Sequence, residues 1–183
     1  MKQHGARKWL ATFVAGFGLF LAIPSSGVAQ SAILIGHPAC LSGKYAQAGK
    51  QAVGGIKACV QWVNQEYGGV SLNGKKHKLE YIVYDTKSQK KQVTRLINKI
   101  TTEDGVDVVF APYSSGLTLQ GAPVAEKHGM LYMDHGGANN KIFRQGFEYI
   151  VQTIGPATSY HKGTLDMLRQ VAPAEDNRVA LAY

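Results

Sequence analysis

Short apolar runs alternate with stretches of helical periodicity through most of the chain, and this alternation restricts the fold more than any other feature. Residues 31–36 (SAILIG), 75–84, 106–111 (VDVVFA), 130–133 and 147–153 (FEYIVQT) read as strands. A helix running to about Tyr67 places Val53, Ile56, Val60 and Val63 on one face, and a second carries Val93, Leu96, Ile97 and Ile100. A third, short helix follows APYSSGLT (111–118) and ends at EKHG (126–129). Strand, helix and strand at this spacing make right-handed crossovers, which lay successive strands parallel. VDVVFA is almost unbroken apolar, as a strand covered on both faces should be. The expected fold class is therefore α/β, a doubly wound parallel sheet.

The punctuation fits that plan. Gly68-Gly69 and Gly105 can close the first two helices in left-handed conformations. Asn73-Gly74 is the favoured type I′ pair and predicts a hairpin whose second arm continues as the 75–84 strand. Ser88 is placed to cap the second helix. Pro123 is expected within the first two turns of the third, where a missing N–H matters least. A brief turn is expected at Ile142-Phe143.

The first residues obey different rules. Lys2, Arg7 and Lys8 precede an apolar stretch from Trp9 to Ile23, and Pro24 leads into small residues ending at Ala29. A basic head, an apolar middle and a small-residue site predict a secretory signal peptide over 1–29, cut after Ala29, and a periplasmic or secreted product. The stretch is shorter than the roughly 20 residues of a membrane span, and nothing after residue 30 could span. Removing those three cations takes three from a net charge of +8. The remaining excess is scattered, GKKHK (74–78) and KSQKK (87–91) being separate patches, which argues against nucleic acid as a partner. An exported chain with two cysteines invites a disulfide. Cys40 in a loop and Cys59 well down the following helix lie about 15 Å apart at helical rise, so two unpaired, buried thiols are expected instead.

In open parallel sheets ligands sit outside the carboxyl ends of the strands. Three polar, glycine- or serine-bearing loops leave such ends: 38–49, 112–119 and 134–140. The second leads into a helix N-terminus, whose free N–H groups favour an anion, and the hydroxyls of Ser114 and Ser115 add donors suited to a carboxylate. Tyr113 and Tyr45 could wall such a site. Equally, Ser115 could simply cap the helix. Catalytic readings are weaker. A nucleophile elbow needs Gly-x-Ser-x-Gly, and Pro112-Tyr113-Ser114-Ser115-Gly116 has only the second glycine. His135 is conceivable as a base, but its neighbour Asp134 would point elsewhere. His128, Asp134 and His135 match no metal-ligand spacing, and no phosphate loop or Gly-x-Gly-x-x-Gly is present, so no cofactor is implied.

Taken in order, the run Pro38–Gly49 (P-x-x-L-S-G-x-x-A-x-x-G), VNQEYGGV (63–70), LEYIVYDTKS, VDVVFAPYSSGLTLQGAPVAEKHG and GGAN…FRQGFEYIVQT resemble periplasmic solute-binding proteins of the leucine/isoleucine/valine-binding type. The resemblance runs from about residue 32 to the end and covers most of that family's first lobe. It implies a two-lobed, non-enzymatic receptor that closes on an amino acid or similar small carboxylate and delivers it to the membrane permease of an ABC importer. Ser115 matches the family's carboxylate-binding serine, and Gly136, Gly137 and Ala138 match a loop that gives backbone contacts. Branched-chain binders have a hydroxyl residue where this chain has Ala138, followed by Asn139. An aromatic that the family often carries in the first loop aligns with Ala48, where Tyr45 could substitute. These departures leave aromatic and other carboxylates open.

Three segments follow: a signal peptide (1–29), a first α/β lobe (30–153) and the start of a second lobe (154–183). After Gly155-Pro156 a helix carries Leu165, Leu168 and Val171, and NRVALAY (177–183) reads as a strand for which no full sheet is expected around Val179 to Leu181. A chain so cut is expected to bind poorly by itself. The alternative function is a ligand-binding module of a sensory or regulatory receptor, since the fold serves both.

Overall fold

The computed structural model describes residues 32–172. The predicted signal peptide and the strand expected over 177–183 lie outside the described residues. The elements run β1 (Ile33–Ala39), α1 (Ala46–Glu66), β2 (Val70–Leu72), β3 (Lys75–His77), β4 (Leu79–Asp85), α2 (Lys90–Thr102), β5 (Val108–Phe110), α3 (Ser115–Lys127), β6 (Tyr132–Asp134), β7 (Ile150–Gln152) and α4 (Lys162–Val171). Five strands form a parallel sheet in the order β4-β1-β5-β6-β7, so the doubly wound α/β expectation holds.

The order reverses once. From β1 the chain crosses by α1 to β4 on one side, then by α2 to β5 on the other. Two right-handed crossovers in opposite directions place α1 and α2 on opposite faces. They also leave a crevice between the carboxyl ends of β1 and β5, the switch point at which such sheets bind ligands.

The main core lies on the α2–α3 side. Val93, Ile97 and Ile100 of α2 and Leu117, Ala122 and Ala125 of α3 pack with Val106, Val109, Ala111 and Tyr132. Gly36 faces this layer: a Cβ there would meet Ile100 and Val106 at 3.0 and 3.1 Å. The opposite face carries Ile35, His37 and Tyr81 under α1. Farther along it, among the described residues, Leu131, Tyr149 and Val151 are exposed.

Strand β1 runs three residues past its expected end and takes in His37 and Pro38. A proline inside a central strand needs an explanation. Ile33 N donates to Lys78 O and Ala39 O accepts from Thr86 N, so odd-numbered residues bond toward β4. Even-numbered ones bond toward β5, where Asp107 N donates to Leu34 O. Pairing with β5 ends at Gly36, whereas pairing with β4 continues to Ala39. The missing N–H of Pro38 therefore falls on the side where no partner strand remains.

Four expectations are corrected. Residues 75–84 split at Lys78: β3 pairs antiparallel with β2 in a separate ribbon, while β4 joins the main sheet, although Asn73 and Gly74 turn with φ of +49° and +77° as the type I′ pair requires. Ser88 does not cap α2, which opens after an extended Gln89; its hydroxyl donates to Ser42 O and accepts from Tyr45 N, tying this turn to the first loop. Because α3 begins at Ser115, Pro123 falls in its third turn, leaving the carbonyl of Leu119 without its helical donor. Cys40 is buried but Cys59 is exposed, and both are free thiols. Helix α4 has no buried residue, and Leu165, Met167 and Val171 are exposed.

Candidate functional site

The first loop is built around glycines and one carboxylate. A Cβ on Gly49 would lie 2.0 Å from Cys40 O, so only glycine lets α1 pass this close to the end of β1. Gly43, at φ +78°, would press a Cβ to 2.6 Å from Lys87 O. Asp85, ending β4, accepts from Leu41 N at 3.0 Å, Ser42 N at 3.1 Å and Lys87 N at 2.8 Å through Oδ1, and from the Ser42 hydroxyl at 2.6 Å through Oδ2. Partial burial works against its charge, but the Ser42 hydroxyl and the backbone donors outweigh it and hold the carboxyl below its ordinary range.

The second loop begins where β5 stops. Ser114 occupies the N-cap position of α3 in extended conformation; its carbonyl accepts from Leu117 N and Thr118 N, and its side chain makes no cap bond. Ser115 is the first helical residue and does not cap either. Its Oγ accepts from Ala138 N at 3.1 Å, which leaves the O–H free to donate. The N–H groups of Ser115 and Gly116 have no partner among the described residues. One hydroxyl and two N–H groups at a helix N-terminus make a carboxylate-sized set of donors.

The third loop is folded by Asp134 at the end of β6. Its Oδ1 accepts from Gly136 N at 3.1 Å and Gly137 N at 2.6 Å. The carboxyl is buried, and desolvation raises its pKa against the pull of the Gly137 and Gly136 donors. A Cβ on Gly137 would lie within 3 Å of Ile142, Thr118 and Asp134, and one on Gly136 would meet the Tyr113 ring at 3.0 Å. The loop thus packs flat against the second one.

The walls are aromatic. Tyr45 and Tyr113 meet edge to face with ring centroids 5.8 Å apart. With Lys44, Gln47, Ala48 and Gln51 they line a hollow of about 220 Å³. Tyr45 and Ala48 share this hollow, so a tyrosine one turn away can supply the aromatic surface absent at 48. The thiol of Cys40 donates to Tyr113 O at 2.8 Å and fixes that wall from below.

Structure thus brings Tyr45, Tyr113, Ser114, Ser115, Gly136, Gly137 and Ala138 to one end of the sheet. Asn139 follows directly; its side-chain oxygen accepts from Lys141 N and opens a short 3-10 turn at 140–142. Asp134 and His135 point to opposite faces of the sheet, and His128 bonds Asn98 at the far end of α3, so these three do not converge. Neither serine is hydrogen-bonded to an imidazole among the described residues. Asp85, Asp134 and Cys40 were not singled out as site-forming from sequence. The two aspartates each end a strand directly before a glycine- or serine-bearing turn, and that position is the signal that could have found them.

Comparison with known proteins bears on the fold and the family. The family model described as "Periplasmic binding protein" matches residues 32–183. The leucine-specific-binding protein of Salmonella typhimurium is 29% identical over 144 residues, covering 79% of this chain and 37% of that protein. The Leu/Ile/Val-binding protein homolog 1 of Brucella abortus is 30% identical over the same shares. The chain spans about two fifths of the length of the curated relatives it matches. Among solved structures, the branched-chain amino acid transporter substrate-binding protein LivJ of Streptococcus pneumoniae, in complex with isoleucine, superposes with a TM-score of 0.63 at 22% identity, over 74% of this chain and 39% of that one. A solute-binding protein of an ABC transporter from R. palustris, in complex with benzoate, gives 0.61 at 21%, over 75% and 37%. A parallel sheet with its donors gathered at the switch point, and a family match from the first described strand to the last residue, lead to one assignment: the chain belongs to the periplasmic binding protein family.

Proposed function

We propose that this chain contributes the first lobe of an extracytoplasmic receptor that captures an amino acid or a similar small carboxylate for an ABC importer. The observation that carries the reading is the donor set of Ser115: its hydroxyl is oriented by Ala138 N–H and free to donate, beside the open N–H groups of residues 115 and 116. Ser114 and the 136–138 backbone would frame the carboxylate, and Tyr45 and Tyr113 would receive the solute's apolar body. The relatives' names favour branched-chain amino acids, and the benzoate-bound neighbour keeps aromatic acids in the panel. The basic-apolar-small pattern of 1–29 supports export, and delivery would be to a membrane permease.

One lobe covers one side of a solute, and clamps of this kind gain affinity by enclosing most of the ligand surface. Residues 30–183 are therefore expected to bind far more weakly than the full-length protein. Isothermal titration of the exported full-length protein against L-leucine, L-isoleucine, L-valine and benzoate tests the reading. Binding of one of them, reduced at least about tenfold by Ser115→Ala, is expected. Unchanged affinity in that variant would remove Ser115 from the site, and no binding across a wider carboxylate panel would remove the function.

A further inference from the structure

The mechanism of solute capture makes no use of two histidines beneath it, one buried and one half-buried. His37, 1% exposed near the end of β1, and His135, directly after β6, flank β5 on the α1 face. Their Nε2 atoms lie 3.2 Å apart, with the rings perpendicular and centroids at 5.1 Å. His37 Nδ1 bonds the Tyr81 hydroxyl of β4, and Phe110 of β5 packs its ring near both imidazoles. A polar chain thus links β4, β1 and β6 across the switch point, and its last member is bonded through the backbone to Gly136.

We propose that His37 is a positioning residue for the solute site, whose hydrogen bond to His135 holds the 136–138 loop, and through Ala138 the hydroxyl of Ser115, in a form that acid loosens. The proposal rests on the reading of Ser115 as solute-binding. Its physical basis is proton counting. An Nε2-to-Nε2 bond needs one nitrogen carrying a proton and the other offering a lone pair, so it cannot exist with both rings protonated. Burial and the neighbouring His135 push His37 down to about 3, and burial also lowers His135. The ionisable groups facing the pair are Tyr81 from β4 and Asp134, next in chain to His135; the described inward residues of α1, Gly49, Val53 and Ile56, carry none.

The sign follows. Opening the loop to water returns each imidazole toward an ordinary value of about 6.5, so below that pH the open form binds protons that the closed form does not. The closed-to-open ratio then falls up to about tenfold per pH unit per histidine, down to the closed-state values.

Amide hydrogen exchange of Gly136, Gly137 and Ala138 in the exported full-length protein, corrected for intrinsic rates between about pH 7.5 and about pH 4.5, tests this without any ligand. Protection at these amides should fall about tenfold or more per pH unit below about pH 6.5, ahead of Leu96 and Ile97 in the core, and His37→Gln and His135→Gln should each remove at least half of that slope. The contribution of Asp134 persists in both variants and so subtracts. A flat wild-type profile, or an equal slope in wild type and both variants, overturns the proposal. Titration with L-leucine and benzoate at neutral pH reads the proposed function separately, so failure of one is distinguishable from failure of the other.

Discussion

Two of the three loops at the site are organised by the same device in opposite surroundings. Asp85 ends β4 and Asp134 ends β6, and each carboxylate gathers backbone N–H groups from a tight turn. Asp85 stands near water, recruits a hydroxyl as well, and is favoured as an anion. Asp134 is buried under α3, and desolvation disfavours its charge. The first loop is thus held by a solvated carboxylate that gains from ionisation, the third by a buried one that ionises at a penalty. Where a group is strained electrostatically but geometrically needed, its shape rather than its charge is what the fold uses.

Breaking the acceptors separates the two. Asp134→Ala leaves a buried N–H, of Gly137, and a part-buried one, of Gly136, unpaired and should destabilise by about 3 kcal/mol, read from urea midpoints. Asp85→Ala should destabilise by about 2 kcal/mol, because water can replace part of what is lost. Asp134→Asn keeps an acceptor and removes the buried charge, so a change below about 1 kcal/mol is expected. A large loss there would show that the charge itself matters and would erase the contrast.

Acid titration gives the smallest and most specific test. Asp85 has its folded pKa lowered, so its stabilisation is present above the unfolded value of 3.8 and disappears as pH falls below it. Asp134 has its folded pKa raised, so its penalty is present at neutral pH and relieved as pH falls through the raised value toward 3.8. Subtracting the stability profile of Asp85→Asn or Asp134→Asn from that of wild type should give slopes of opposite sign. Slopes of the same sign would refute the assignment of surroundings.

The residues that made the fold legible are those whose role is local or periodic. Val93, Leu96, Ile97 and Ile100 declare the inner face of α2, and all four are buried. Asn73-Gly74 declares its turn, with both φ values positive. Ser115, Tyr113 and Tyr45 could be placed at strand ends because parallel sheets put their ligands there. What could not be read depended on partners distant in sequence. Ser88 resembled a cap, but Ser42 and Tyr45, more than forty positions away, decide its bonds. That the side-chain oxygen of Asn139 closes on Lys141 N was likewise not legible. The run 75–84 looked like one strand, and only the pairing of 79–85 with β1 divides it at Lys78. Cys59 was expected in the core because cysteines usually are, yet the exposed side of α1 carries it.

Pro38 has a consequence for depth. Two neighbouring strands bonded to their tips would close the crevice at the switch point. A residue without an N–H, set two positions past the last β1–β5 pair, acts as a zip stop: the ribbon of bonds to β4 runs on, while the one to β5 cannot be extended through that position. The floor of the crevice is set there, by an atom the backbone lacks.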